Sequence, residues 1–251
     1  MSALADLLAG ADRVAVLTGA GISTDSGIPD FRGPKGLWTV DPTAERLTHW
    51  PSYRDDPDVR RRSWQWRVHN RALRAEPNAS HQALARLATD GPLIGLATQN
   101  VDGLHVAAGT PRELVHELHG TMREVECHAC GWRDDMDWAV DRILELGDED
   151  PRCPDCGGIT KAATVMFGQS LPEDALQAAV DAAEACDLYL AIGSSLTVHP
   201  AAGLPQHAFE RGADLVILNA EPTPLDRLAT LVLNEQIADV LPAAVDAVLS
   251  S

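Results

Sequence analysis

Basic residues, aromatic residues and long apolar runs are all scarce in this chain. Its 251 residues include 20 Lys and Arg against 37 Asp and Glu, for a formal net charge of −17. That balance opposes the phosphate attraction behind most nucleic-acid binding, so we expect no direct nucleic-acid partner. An acidic exterior would suit basic protein segments, although good solvation alone also explains it. No apolar run approaches the ~18 residues needed to cross a bilayer, so we expect no membrane partner.

The N-terminus lacks the basic start of a secretory signal. No Lys or Arg precedes Arg13, and Ser2 and Gly10 instead frame a short predicted helix. We therefore expect the mature chain to begin here, in the cytoplasm. The length and the 45% hydrophobic content predict one large globular domain or two unequal ones, and they exclude a disordered chain.

Four short runs rich in Val, Ile and Leu predict buried parallel strands. They cover residues 13–19, 93–100, 188–193 and 215–219, and helix-like stretches cover 80–90, 172–185 and 201–211. Strands that alternate with helices predict an α/β fold with a Rossmann-like parallel sheet. Ligands bind beyond the carboxyl ends of such strands. The residues expected to line that crevice are Gly19, Gln99, Asn100, Gly193, Ser194, Ser195 and Asn219.

Two stretches interrupt this alternation and predict a smaller lobe beside the sheet. Residues 33–78 are rich in Trp, Arg and Pro and indicate a helical insertion, and residues 127–156 form a second insertion. A cleft would then separate this lobe from the sheet. The predicted boundaries are a Rossmann-like domain of residues 1–34, 81–120 and 165–251, and a small domain of residues 35–80 and 121–164.

Four of the five cysteines form two pairs with the spacing of a metal knuckle. Cys127 and Cys130 form one Cys-x-x-Cys pair, Cys153 and Cys156 form the other, and a glycine follows each pair. Two such pairs place four thiolates around a tetrahedral Zn²⁺, in a closed site with no position for substrate. The alternative is two disulfides, which the missing secretory signal disfavours. The fifth cysteine, Cys186, is expected to be buried and inert.

A glycine-containing loop, Gly19-Ala20-Gly21-Ile22-Ser23, follows the first predicted strand. Glycines at that point let the backbone approach a pyrophosphate and expose N–H groups to it. Thr24 stands where the full dinucleotide fingerprint has a glycine, so a standard dehydrogenase is not expected. An ordinary glycine turn before a helix is the alternative.

Polar side chains follow two further predicted strands. Gln99, Asn100 and Asp102 offer two amides and a carboxylate, which suit a sugar or a carboxamide. His119 ends another apolar stretch just before the first cysteine pair. A lone histidine at such a place is usually structural. Beside these motifs it is a candidate general base, because imidazole titrates near neutral pH.

Taken in order, these motifs resemble those of the sirtuins, the NAD-dependent protein lysine deacylases, and in particular bacterial ones. The matching segments are residues 19–23, 27–33, 98–105, 119–120, the four paired cysteines and 193–195. The resemblance spans about residues 14–241. It implies that NAD and an acyl-lysine protein enter a cleft between a Rossmann-like domain and a zinc-containing domain. The expected reaction is deacetylation, with release of nicotinamide and O-acyl-ADP-ribose.

The resemblance also implies roles for individual residues. His119 matches the catalytic base, and Asn100 and Asp102 match residues beside the reacting ribose and the nicotinamide carboxamide. Phe31 belongs to a loop that closes over NAD and screens the ribose. The residues expected to contact NAD are Gly19, Ala20, Gly21, Ile28, Phe31, Arg32, Gln99, Asn100, Asp102, Gly193, Ser194, Ser195, Asn219 and Ile237. The residues that match the substrate-pairing segment are Val165, Phe167 and Gly168.

Three positions depart from the usual sirtuin pattern. Gln169 replaces a glutamate near the peptide and so removes a negative charge that would favour basic flanking residues. Ser194 replaces the commoner threonine and keeps a hydroxyl. Trp64 and Arg67 stand where sirtuins that remove acidic acyl groups carry Tyr-x-x-Arg, but Trp lacks the phenol oxygen. We therefore expect acetyl-lysine to be preferred over succinyl-lysine. The alternative is a Trp that packs a helix beside a surface Arg.

Two other functions stay open at the level of sequence. The same site could transfer ADP-ribose from NAD to a protein side chain. A zinc-ribbon module could instead sense a nucleotide without turnover, in which case nicotinamide would never be released. The intact set of Asn100, Asp102 and His119 favours catalysis over sensing.

Overall fold

A six-stranded parallel sheet dominates the computed structural model, which describes residues 2–30 and 44–250. The strands of the described residues are β1 (Val14–Thr18), β2 (Leu93–Thr98), β3 (Val115–Glu117), β4 (Gly120–Cys127), β5 (Arg133–Asp135), β6 (Thr160–Thr164), β7 (Leu188–Ile192), β8 (Asp214–Leu218) and β9 (Leu231–Leu233). The parallel sheet has the order β3-β2-β1-β7-β8-β9. The predicted α/β class and Rossmann-like sheet are therefore confirmed.

The strand order reverses between β1 and β7. From β1 the chain proceeds outward through β2 and β3, and from β7 it proceeds in the opposite direction through β8 and β9. β1 and β7 are parallel neighbours, with Leu17 opposite Ala191 and Thr18 opposite Ile192. A crevice opens at such a reversal, beyond the carboxyl ends of the two strands. The fold thus places the Gly19 loop and Gly193 at a common edge.

Helices cover both faces of this sheet. The α-helices of the described residues are α1 (Ala3–Gly10), α2 (Ala44–Leu47), α3 (Trp50–Asp55), α4 (Pro57–Val68), α5 (Ala79–Thr89), α6 (Leu104–Ala107), α7 (Met136–Leu144), α8 (Glu173–Ala185), α9 (Leu204–Glu210) and α10 (Ile237–Leu249). α1, α5 and α10 pack on one face, and α8 and α9 pack on the other. None of these helices is long and apolar enough to cross a membrane.

Burial on two faces explains the continuous apolar runs in the sequence. Val14 and Val16 of β1 belong to the core under α1, α5 and α10, whereas Ala15 and Leu17 belong to the core under α8 and α9. Successive side chains of a strand point to opposite faces, so a strand covered on both sides needs apolar residues throughout. All five residues of β1 are buried.

The predicted helix 201–211 differs in its first turn. Residues Ala201–Gly203 form a 3₁₀ turn, and the α-helix begins only at Leu204. Pro205 has no N–H, and proline is favoured in the first turn of an α-helix over later turns. The proline therefore explains why the α-helix starts late.

A smaller lobe contains an antiparallel sheet of the order β5-β4-β6, joined by α2, α3, α4 and α7. Its core includes Trp64, Val125, Met136 and Ala162. The expected helical insertion is confirmed for the described part of residues 33–78. The predicted NAD contacts Phe31 and Arg32 lie outside the described residues.

Candidate active site

Glycines bring the ends of β1 and β7 into direct backbone contact. The Gly21 N–H donates to the Gly193 carbonyl at 2.9 Å. A Cβ on Gly19 would lie 2.6 Å from that same carbonyl oxygen, and a Cβ on Gly21 would lie 2.7 Å from the Gly193 Cα. Gly193 has φ +64, a conformation that favours glycine. We call this close backbone contact at the sheet reversal the glycine cradle, and it borders the crevice in which folds of this kind bind their ligands.

Polar side chains flank this cradle. The Gln99 Nε2 donates to Ser194 Oγ at 2.7 Å, which joins the ends of β2 and β7. Ser195 Oγ lies 2.9 Å from Thr197 Oγ1. Asn219, just beyond β8, donates from Nδ2 to the Glu221 carbonyl at 2.7 Å. The predicted hydrogen-bonding residues thus follow three different strands at one edge of the sheet.

The remaining predicted NAD contacts differ in their surroundings. Ala20 and Ile28 are both half-buried, and the Ile28 N–H donates to the Ser23 carbonyl at 3.3 Å. Ile237 opens α10 and packs into the core beneath the sheet. Its side chain is thus committed to the core, with 9% exposed.

Asn100 and Asp102 are buried and share one partner, Ser23. The Ser23 hydroxyl donates to Asp102 Oδ2 at 2.8 Å and accepts from Asn100 Nδ2 at 3.1 Å. Asn100 Nδ2 also donates to the Gly19 carbonyl at 3.1 Å, and the Leu104 N–H donates to Asp102 Oδ1 at 3.0 Å. The amide and the carboxylate are therefore held in fixed orientations beside the glycine cradle.

His81 completes this network, and sequence reasoning missed it. Its Nδ1 accepts from the Asn78 N–H at 3.4 Å, so the proton resides on Nε2, which lies 3.4 Å from Ser23 Oγ. Burial lowers the pKa of His81 to about 4, although the Asp102 charge opposes that shift. A neutral imidazole therefore supports Ser23 at physiological pH. In the sequence, Asn78-x-x-His81 indicates only the start of a helix.

A second histidine, His105, is linked to the Asn100 backbone through the hydroxyls of two buried threonines. His105 Nε2 lies 2.9 Å from Thr18 Oγ1, which donates to Thr98 Oγ1 at 2.8 Å. Thr98 Oγ1 in turn accepts from the Asn100 N–H at 3.1 Å. Burial holds the pKa of His105 well below its ordinary value, with the nearby His81 ring acting in the same direction. The carboxyl ends of β1 and β2 are thus joined by a buried chain of neutral groups.

His119 lies between β3 and β4 with one ring nitrogen fixed. Its Nδ1 lies 2.9 Å from the Gln99 carbonyl oxygen. A carbonyl only accepts, so Nδ1 carries the proton and Nε2 keeps its lone pair. Burial lowers the pKa of His119, and the bond to Gln99 opposes that shift only in part. The neutral ring has the protonation state that a general base requires.

The predicted substrate-pairing segment lies next to His119. The Val165 N–H donates to the His119 carbonyl at 2.7 Å. The Phe167 N–H donates to the Thr48 carbonyl, and the Phe167 carbonyl accepts from the Trp50 N–H at the start of α3, both at 2.9 Å. Phe167 is 40% exposed. Gln169 turns back, so that its Oε1 accepts from the Met166 N–H at 3.0 Å. A backbone hydrogen bond therefore holds this segment next to the candidate base.

Arg67 is buried, which corrects the sequence-based alternative of a surface arginine. It is only 6% exposed, and one Nη donates to Thr164 Oγ1 at 3.2 Å. Its Nε and the Nε1 of Trp64 have no hydrogen-bond partner among the described residues. Trp64 packs in the core of the smaller lobe, so Arg67, one turn further along α4, is directed inward with it.

The four paired cysteines converge in the smaller lobe. Their Sγ atoms all lie within 4.8 Å of one another, with Cys127 and Cys156 3.5 Å apart and Cys130 and Cys153 3.6 Å apart. Tetrahedral thiolates at the usual Zn–S distance are about 3.8 Å apart. The donor set and its spacing therefore fit zinc, and all five cysteines are free of disulfides. Cys186 is buried, as expected.

Comparison with known proteins places this geometry in context. A family model described as the Sir2 family matches residues 19–200. An NAD-dependent protein deacetylase of Streptomyces coelicolor is 52% identical over 94% of this chain and 98% of its own length.

Two solved structures match at the level of fold and sequence. One, a Sir2 protein with a deacetylated p53 peptide and 3'-O-acetyl ADP ribose, has a TM-score of 0.86 and 36% identity over 96% of this chain and 95% of its own. The other, Sir2Tm with a propionylated peptide, has a TM-score of 0.85 and 32% identity over the same shares.

Proposed function

Because the chain belongs to the Sir2 family, we propose that it is an NAD-dependent protein lysine deacetylase. The observation that carries this proposal is the position of His119. A neutral imidazole with a free lone pair lies where the dinucleotide crevice meets the substrate-pairing segment. Relatives named as deacetylases and structures with acylated peptides support acyl-lysine proteins as the substrate class.

Glycines and polar side chains at the carboxyl edge of the sheet would bind different parts of NAD. NAD, when bound, supplies an electrophilic ribose carbon that becomes reactive as nicotinamide leaves. Gly19, Gly21 and Gly193 would shape the site of its pyrophosphate, because only glycines let the ends of β1 and β7 pack this closely at the crevice. Gln99 and Ser194 offer hydrogen bonds to the sugar and the phosphates beside them.

Asn100 and Asp102 serve the side from which nicotinamide leaves. The Asp102 carboxylate, which Ser23 orients, would stabilise the positive charge that develops during this reaction. Preorganised charge in a buried site stabilises such a transition state without reorganisation. An arginine at this position would oppose it. The buried amide and carboxylate therefore match the proposed chemistry better than they match phosphoryl transfer.

With NAD and an acyl-lysine bound, His119 would accept at Nε2 the proton of a ribose hydroxyl, which leaves that hydroxyl oxygen able to act as a nucleophile. Nδ1–H stays bonded to the Gln99 carbonyl, so the ring can become charged without rotating. The peptide would pair with the backbone around Val165, Phe167 and Gly168 by β-augmentation. That arrangement would bring the acyl-lysine next to His119.

Two further parts of the proposal concern organisation and location. We assign residues 1–34, 81–120 and 165–251 to the Rossmann-like domain and residues 35–80 and 121–164 to the small domain. The six parallel strands and the four clustered cysteines support this division. A cytoplasmic location is supported by cysteines spaced for zinc and free of disulfides.

The reaction itself is tested with the purified chain, NAD and an acetyl-lysine peptide. Mass spectrometry should show deacetylated peptide, nicotinamide and O-acetyl-ADP-ribose in equal amounts. Nicotinamide release accompanied by ADP-ribosylated protein, with the peptide still acetylated, would indicate an ADP-ribosyltransferase instead. NAD binding without any nicotinamide release would indicate a sensing module. Either of those results contradicts the proposed function.

Acyl preference provides a separate prediction. We expect a larger kcat/KM for acetyl-lysine than for succinyl-lysine, because burying a carboxylate requires a complete charge-assisted pair and Trp64 lacks a phenol. The unpaired Nε atoms of Trp64 and Arg67 favour the opposite outcome, removal of an acidic acyl group. Steady-state kinetics with both peptides, in wild type and Arg67→Met, decide between them. A higher succinyl kcat/KM that is lost in the variant would overturn our expectation.

A further inference from the structure

Arg123 lies where the loop that carries Asp102 meets the smaller lobe. Its Nε donates to the Asp102 carbonyl at 2.8 Å, and its Nη1 donates to the Leu73 carbonyl at 2.7 Å. A longer contact of 3.5 Å joins Nη2 to the Ala72 carbonyl. The salt bridges of the described residues do not include Arg123. Its guanidinium therefore serves backbone carbonyls from two separate segments.

An irregularity in β4 places this side chain. The pairing of β4 with β6 shifts register between Gly120 and Val125, so the residues between them leave the regular ladder. The Met122 N–H donates instead to the Val101 carbonyl at 2.8 Å. Met122 and Arg123 thus bind two successive carbonyls of the Asp102 loop, which fixes the loop against β4.

The two segments that Arg123 joins both accommodate it. Gly103 has φ +72, and a Cβ there would lie only 3.0 Å from the Arg123 Cγ. On the other side, residues Arg71–Arg74 form a 3₁₀ helix whose last carbonyls have no partner within the helix. A cation at a helix C-terminus is electrostatically favourable. Arg123 therefore binds the Asp102 and Leu73 carbonyls and adds a second donor to the Ala72 carbonyl, which also accepts from the Ala75 N–H.

We propose that Arg123 is a positioning residue for the deacetylation reaction, acting through Asp102. The Asp102 carboxylate is fixed by Ser23 and by the Leu104 N–H, and its carbonyl is fixed by Arg123. Both ends of the residue must be held for the carboxylate to meet the nicotinamide side of NAD in one orientation. The inference rests on the proposed function.

The test compares Arg123→Met with Arg74→Met in the full-length protein. Arg74 is exposed and is the last residue of the same 3₁₀ helix, so the control removes the same charge without freeing the Asp102 loop. We expect kcat/KM for NAD to fall by up to about 100-fold in Arg123→Met, because small misplacements of reacting groups cost that much. The KM for nicotinamide in the exchange reaction should rise by about tenfold or more. Arg123→Lys should recover part of both, and Arg74→Met should change neither.

Hydrogen–deuterium exchange provides a readout that needs no turnover. Amides of residues 99–106 should exchange faster in Arg123→Met, while amides of β7 and β8 keep wild-type protection. Unchanged exchange in residues 99–106 would overturn the proposal, even if activity fell. If the Met variant unfolds throughout, the Lys variant decides by the same measurement. A wild-type protein that fails to turn over acetyl peptide would contradict the proposed function. The hydrogen-exchange result would then still show whether Arg123 holds the Asp102 loop.

Chemical rescue provides a further test of position. Arg123 borders a cavity of about 440 Å³ that is also lined by Val68, Leu73 and Met136. Millimolar guanidinium should therefore reach the space left in Arg123→Ala and raise its kcat/KM for NAD severalfold, with no effect on wild type. If guanidinium does not rescue Arg123→Ala, and the amides of residues 99–106 in that variant exchange hydrogen at the wild-type rate, Arg123 has no role in the reaction.

Discussion

Replacement of His119 by Ala should lower kcat for deacetylation by several orders of magnitude while the protein stays folded. A positioned general base contributes about 10²–10⁴-fold, and a buried site offers little water to replace it. The side chain is half-buried at the end of β3 and donates only to the Gln99 carbonyl among the described residues. Its removal therefore leaves the core and the cysteine cluster intact.

Two comparisons separate this role from a structural one. Zinc content and NAD affinity should remain at wild-type values in His119→Ala, and nicotinamide exchange should fall less than turnover, because exchange precedes the proton transfer. Asp102→Asn should impair exchange as well, because Asp102 acts at nicotinamide departure. Near-normal turnover in His119→Ala, with zinc and NAD bound, would contradict the mechanism and favour a nucleotide-sensing module.

The pH profile should carry the same signature. Burial lowers the pKa of His119, so the neutral, active form persists below the ordinary histidine value of about 6.5. Activity should therefore stay constant through neutral pH and fall only on the acidic side of that value. An acidic limb centred above pH 7 would indicate that another group is the base.

The parallel sheet could be predicted from the sequence because strands that are buried on both faces are apolar at every position. Runs such as residues 13–19 and 188–193 are continuously apolar and stop at a small residue, and the strands β1 and β7 occupy them. The cysteine pairs were equally readable, since each Cys-x-x-Cys spacing is local. Contacts between residues that are far apart in sequence have no comparable local pattern. Nothing adjacent in sequence indicates that Ser23, Asn100 and His81 meet, because they follow different elements.

Burial of individual polar side chains was the part that sequence could not supply. Arg67 lies in a helix with several arginines, and a helix-surface position was a reasonable alternative. The packing of Trp64 against Val125 and Ala162 turns that helix so that Arg67 also faces inward. Arg123 is similar, because its role depends on a register shift between β4 and β6 that no local pattern encodes.

Cys153→Ser should remove zinc from the protein and abolish deacetylation, although the cysteines lie outside the reacting groups. Four thiolates fit a closed tetrahedral site, and such sites contribute several kcal/mol or more of folding free energy. A serine hydroxyl is a poor replacement for a thiolate, so the metal should be lost on purification. Elemental analysis and turnover measure the two effects. The matched control is Cys186→Ser, which removes the cysteine outside the cluster and should keep one zinc per chain.

The path from the cysteines to the active site predicts which binding step fails first. His128 lies inside the first cysteine pair, and its ring contacts Trp50 with centroids 4.3 Å apart. The Trp50 N–H donates to the Phe167 carbonyl at 2.9 Å, within the substrate-pairing segment. Loss of zinc should therefore disorder the peptide side, while the glycine cradle on the parallel sheet keeps its packing. Calorimetry should show weak peptide binding and retained ADP-ribose binding in Cys153→Ser. A zinc-free protein with wild-type peptide affinity and turnover would overturn the structural role assigned to the cluster.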